Sequence, residues 1–196
     1  MKKRVPIIKR IGKIFELGYV PSRGDETYYF KTRNSIMTGH IFNCFAHACF
    51  NLTNEQIDEL NLYEDEIFHM QGYNRDILGT LEKKEVAEHF FGLIKDAGLI
   101  VEPCLEETIL NNNQWKIALY FDEIDFGKDR RLRDFHFLLQ EKDGTWSGKA
   151  GYTPRVKTVE TLPEELDFYY KFYECYSITN PYAEGGKTKW KWREHL

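Results

Sequence analysis

His40-Ile41-Phe42-Asn43-Cys44-Phe45-Ala46-His47-Ala48-Cys49 is the stretch on which the reading of the whole chain turns. It places a cysteine in the first turn of a short apolar helix, predicted to run from Cys44 to about Asn51. A helix start lowers a thiol pKa, because its free N–H groups and the positive end of its dipole favour the thiolate. Downstream, Asp134-Phe135-His136-Phe137-Leu138 reads as a strand. Its period of two sets Phe135 and Phe137 on one face and His136, with Asp134 and Leu138, on the other. A helix-borne thiol and a strand-borne imidazole are the two halves of a nucleophile–base pair.

On this reading Cys44 attacks, and His136 takes the thiol proton and later protonates the leaving group. The Asn43 side chain, with the Cys44 amide, would donate to the developing oxyanion. Each residue also has a plainer reading. Free cysteines commonly behave as small buried hydrophobes, and a lone strand histidine is commonly just a hydrogen-bonded one. His47 lies three residues after Cys44 on the same helical face. It is an alternative base, or with Cys44 and His136 part of a metal site, but no fourth ligand is evident and no cofactor is implied. Cys49, Cys104 and Cys175 read as core.

Composition sets the frame. The chain of 196 residues is 42% hydrophobic, 30% charged and 15% aromatic, which is globular and of single-domain size. Its net charge of −4 argues against bulk electrostatic binding to nucleic acid. Four scattered cysteines without a C-x-x-C pair exclude a zinc-finger pattern and suit free thiols in a reducing compartment. Lys9, Arg10 and Lys13 interrupt any signal-peptide core, and no apolar run reaches the ~20 residues of a membrane span. The expectation is a cytoplasmic protein, with release by lysis or action inside a host cell as later steps.

Along the chain, Ile7, Ile8, Ile11, Ile14 and Phe15 predict an amphipathic helix, packed on the domain or lying on a membrane surface. Residues 22–39 read as a loop. Thr53-Asn54-Glu55-Gln56 is a capping box opening a helix to about Leu62, and residues 63–79 read as irregular. Thr80 is the expected cap of a helix whose Val86, Ala87, Phe90, Phe91, Ile94 and Ala97 form one stripe, ended by Gly98 at C′. The period then changes. Strands are predicted over Leu99–Cys104, Trp115–Phe121, Asp134–Lys142, Thr145–Lys149 and Phe172–Ile178, with Asp143-Gly144 as a hairpin turn. The acidic run Asp122-Glu123-Ile124-Asp125 and the basic run Lys128-Asp129-Arg130-Arg131-Leu132-Arg133 read as a loop, solvated or substrate-gripping. The tail alternates Lys187, Lys189, Trp190, Lys191, Trp192 and Arg193, either flexible or able to stack on a nucleic acid. Helices first and an antiparallel sheet after make an α+β protein, with residues 1–184 as one domain and 185–196 as a basic, Trp-containing tail.

The succession Asn43-Cys44-Phe45-Ala46, Trp115 to Tyr120, Asp134-Phe135-His136-Phe137-Leu138 and Asp143-Gly144-Thr145-Trp146-Ser147-Gly148-Lys149-Ala150-Gly151-Tyr152-Thr153-Pro154 resembles a group of bacterial and phage proteins labelled "enterotoxin". These carry Asn-Cys-Tyr-Ala-Tyr-Ala early, then Asp-Tyr-His-Phe-Tyr-Arg and Asp-Gly-x-Trp-Ser-His-Lys-Pro-Gly, and the likeness spans roughly residues 40–180. The group is similar to papain-like cysteine hydrolases of the NlpC and CHAP kind, which place a cysteine at a helix start, a histidine on a strand and a polar third residue on the next strand. The resemblance implies a papain-like fold, Cys44 as nucleophile, His136 as base, and an amide bond of a peptide or peptidoglycan stem as substrate. The third residue would fall at Gly148, where the related sequences have histidine. The orienting group is then missing, or supplied by Ser147, Asp134 or Asp143. Loss of such a group costs ~10⁴-fold in a related triad. A degenerate phage or host-interaction protein that binds a protein partner on the same scaffold is therefore the alternative expectation.

Overall fold

The computed structural model describes residues 44–49, 81–125, 130–149, 156–167 and 169–181. The predicted helices at residues 7–15 and 53–62, the loops 22–39 and 63–79, Asn43 and the tail lie outside the described residues. Two helices are described, α1 (Cys44–Cys49) and α2 (Lys83–Asp96). Seven strands follow: β1 (Ile100–Cys104), β2 (Gln114–Asp125), β3 (Arg130–Gln140), β4 (Trp146–Lys149), β5 (Val156–Val159), β6 (Glu165–Leu166) and β7 (Tyr170–Thr179). They form one sheet in the order β1-β7-β2-β3-β4-β5, with β6 added beside β7. Every described pairing is antiparallel. The fold is thus mixed, a large antiparallel sheet with few helices.

The local chemistry of α2 fits its sequence. Glu82 is the N-cap, and the Glu85 carboxylate accepts from the Glu82 amide at 2.9 Å. The expected cap Thr80 lies outside the described residues, and the helix opens after Glu82 instead. Gly98 adopts φ 87°, a conformation that costs glycine nothing. The Gly98 and Leu99 amides donate to the carbonyls of Lys95 and Ile94 at 2.8 and 3.2 Å, the paired bonds of a Schellman ending.

The predicted strands at 115–121 and 134–142 are displaced in their limits. β2 continues through the acidic run and β3 includes Arg130 to Arg133 of the basic run, so these described residues are sheet and not a loop. The register sets Glu123 opposite Leu132, Ile124 opposite Arg131 and Asp125 opposite Arg130, so pairing continues past the irregularity between Asp122 and Glu123. The hairpin turn also takes more chain than predicted. The Glu141 amide donates to the Thr145 carbonyl at 2.7 Å, and Gly144 has φ 89°. The Asp143 carboxylate accepts from the Thr145 amide and hydroxyl at 2.9 and 2.7 Å, closing the loop.

Alternation along the strands gives the sheet two unlike faces. The first carries Ile117, Leu119, Phe121, Phe135, Phe137, Leu139, Tyr176 and Ile178, and these pack with Phe45 of α1 and with Val86, Ala87, Phe90 and Ile94 of α2 in one core. Phe90 is its aromatic centre, with ring centroids 4.9 Å from Phe45, 4.5 Å from Phe135 and 5.1 Å from Phe137. The second face carries a smaller core of Ala118, Tyr120, Leu138, Trp146 and Cys175. Leu162 and Leu166 of the segment around β6 pack against it, and the Tyr120 hydroxyl donates to the Pro163 carbonyl at 2.9 Å.

Candidate functional site

α1 lies on the first face, against β3 and β4. Phe45 places its ring 5.6 Å from Phe137, and the Trp115 indole N–H donates to the Ala48 carbonyl at 3.2 Å. This docking carries Cys44 into the core, where it is 3% exposed. Burial pushes its thiol from 9.0 up to about 12, and the charge of Asp134 adds to the rise. The Phe137 and Phe45 amides and the Lys149 ammonium oppose it without reversing it.

His136 lies on β3 between Phe135 and Phe137, whose side chains share the first face with α1. Its own side chain therefore points to the second face. There its ring stands 5.5 Å from that of Tyr170, and its Nε2 lies over Gly148 on β4. Cys44 packs in the core of the first face, yet the Phe137 amide, next along β3 from His136, meets its sulfur and the charge of Asp134 is felt there. The thiol therefore sits beside the His136 segment of β3, while the His136 ring itself lies on the second face, and Asn43 lies outside the described residues.

The substitutes for a third residue are each engaged elsewhere. Asp134 accepts from the Tyr170 hydroxyl and from the Phe135 amide, both at 2.8 Å. Ser147 shares a 3.0 Å hydrogen bond with His47 Nε2 on the first face. Asp143 is held in the turn by Thr145. Gly148 does occupy the place that the resemblance assigns to the third residue, on the strand next to His136 and on its face, with Leu138 directly opposite.

One group escaped the sequence reading. Lys149 is fully buried, and loss of water pushes its ammonium from 10.5 down to about 8, with Cys44 opposing. With His47, Ser147 and Cys44 it makes a polar layer between α1 and β4. The only sequence signal was alternation, which sets Ser147 and Lys149 on the face opposite Trp146 and Gly148. Among the described residues, no group of three histidine, cysteine, aspartate or glutamate side chains is placed to hold a metal. No described helix is long and apolar enough to cross a membrane.

His136 gives this region a pH signature. Removal of its ring from water lowers its pKa from 6.5 to about 4, with Lys157 and Lys149 adding and Asp167 opposing. Between those two values the unfolded chain binds more protons than the folded one. This contribution to stability is therefore complete above the unfolded value of 6.5 and is lost as pH falls toward 4. At 1.36 kcal/mol per pKa unit the loss is at most ~3 kcal/mol, and smaller here because the side chain is only partly buried. Urea unfolding across this window should show the loss, and His136→Gln should flatten it. An equal slope in the variant would assign the loss to other groups.

No family model, no curated protein and no solved structure matches this chain.

Proposed function

We propose that the chain is a binding protein on a papain-like scaffold that lacks an activated thiol, and that it engages a protein partner without cleaving an amide bond. The observation that carries this reading is the enclosure of Cys44. A nucleophile must meet substrate as a thiolate, and this sulfur is buried, with loss of water pushing its thiol up to about 12. Gly148 in place of a polar third residue supports the same reading.

The turn between β1 and β2 is the surface best suited to a partner. Leu105 and Ile109 are 66% and 96% exposed, and the exposed Glu106 and Glu107 lie between them. The turn is held in shape from within. The buried Lys116 ammonium donates to the carbonyls of Glu106 and Thr108. The Leu105 amide donates to the Thr108 hydroxyl at 3.0 Å, and the Thr108 amide to the Leu105 carbonyl at 3.1 Å. A preformed apolar tip with an acidic rim loses little entropy on docking, and it suits a pocket edged by Lys or Arg.

The test has two arms. Thiol labelling of the native protein at neutral pH should modify the half-buried Cys104 well before Cys44. A capture experiment should recover the same proteins with wild type and Cys44→Ala, and lose them with Leu105→Ser/Ile109→Ser. Preferential labelling of Cys44, or amide hydrolysis by wild type that Cys44→Ala abolishes, would return the chain to the cysteine hydrolases.

A further inference from the structure

On the second face of the sheet, Cys104 of β1 stands directly opposite Cys175 of β7. Both thiols are free. Directly opposed residues of an antiparallel pair send their side chains to the same face, with Cα atoms about 4.5–5.5 Å apart. A disulfide requires a Cα separation of about 4.4–6.8 Å. The pair thus has the Cα spacing of a cross-strand bridge, which a small approach of the two strands together with side-chain rotation would close.

The two thiols differ in access. Cys104 is half-buried on the strand that ends the described sheet order, whereas Cys175 is 2% exposed. A third residue on this face bears on their chemistry. Lys116 of β2 lies opposite Ser177, two residues along β7 from Cys175. Burial raises both thiols and the Glu174 carboxylate adds to the rise, with Glu106 also acting on Cys175, while the Lys116 charge partly opposes it in both. Its bonds to the Glu106 and Thr108 carbonyls fix the ammonium beside them.

We infer that Cys104 and Cys175 are a reversible redox pair, oxidised by thiol–disulfide exchange with a small-molecule disulfide of the glutathione type. The Cys104 thiolate attacks one sulfur of the oxidant, forming a mixed disulfide and releasing one glutathione thiolate, which takes up the proton Cys104 gave to solvent. Cys175 then attacks the Cys104 sulfur and expels the second glutathione thiolate, which receives the Cys175 proton. Two cysteine thiols are oxidised to one disulfide, and one glutathione disulfide is reduced to two thiols. The bridge fastens the edge strand β1 to β7, and with it the turn that presents Leu105 and Ile109.

The experiment treats the folded full-length chain with excess glutathione disulfide at mildly alkaline pH, blocks remaining thiols and maps the products by mass spectrometry. Wild type is expected to lose about 2 Da, the two hydrogens of the exchange, to give a peptide linking Cys104 to Cys175, and to revert with dithiothreitol. Cys175→Ser and Cys175→Ala are expected to stop at a glutathione adduct on Cys104. The inference is overturned if wild type accumulates that adduct as fully as the variants do. It is equally overturned if the linked peptide involves Cys44 or Cys49, or if no thiol reacts while the chain is folded. Should both variants fail to fold by circular dichroism, the products of the wild type decide alone.

Discussion

Phe90→Ala is expected to remove about 3–5 kcal/mol of stability, the usual cost of deleting a fully packed aromatic side chain. Phe90 is 4% exposed and its ring packs against those of Phe45 of α1 and Phe135 and Phe137 of β3. Those contacts join both described helices to the sheet, so the cavity opens where three elements meet and none can close it alone. Phe91 is the natural control. It is only partly buried and its ring meets that of Tyr176 at 4.5 Å. Phe91→Ala should therefore cost clearly less, because less apolar area returns to water. Chemical denaturation of both variants reads the difference, and equal costs would refute the placement of Phe90 at the centre. A second readout follows from the same geometry. Since Phe45 leans on Phe90, the variant should loosen α1 and speed labelling of Cys44 relative to wild type.

The helix–sheet core was readable because local and global signals agree there. The stripe Val86, Ala87, Phe90, Ile94, Ala97 is the buried face of α2, and Gly98 ends that helix with positive φ. The long strands were also legible from their period. The charged runs were not, because Asp122 to Asp125 and Arg130 to Arg133 look solvated one at a time. What makes them strand is pairing across the sheet, a property of two segments and not of either. The short β5 and β6 lie in turn-rich sequence and take their shape from β4 and β7 beside them.

The site shows the same division. Alternation correctly set His136 opposite Phe135 and Phe137. It could not tell which of those faces the helices cover. The docking of α1 and α2 decides that, and their aromatic side chains go to the phenylalanines. Nor could alternation show how deeply α1 carries Cys44 into that core, and it is this burial that raises the thiol pKa.

Gly148→His makes a direct test of the binding-only reading, because it installs the histidine that the motif resemblance expects at this position. A Cβ built on Gly148 would lie 2.4 Å from Leu138 Cδ2 and 2.9 Å from His136 Nε2. Even Gly148→Ala must therefore displace two side chains packed across the strand, at about 1–3 kcal/mol for an overfilled core. Histidine is expected to cost more than alanine, since its ring needs the space that Leu138 and His136 now fill. Leu138 is 4% exposed and is packed with Tyr120 and Trp146, so its retreat disturbs the whole second core. Trimming the obstacle should relieve part of the cost. In a Leu138→Ala background, Gly148→Ala is expected to be milder than in wild type, with a coupling of roughly 0.5–3 kcal/mol. Strict additivity in that double-mutant cycle would mean that the two side chains do not compete for this space. Hydrolysis is the second reading of the same variants. The new imidazole would stand beside His136, but Cys44 would remain buried with its thiol pKa raised, so no amidase activity is expected to appear. If Gly148→His did create activity that Cys44→Ala removed, the thiol and the imidazole would have to meet in solution, and the binding-only reading would give way.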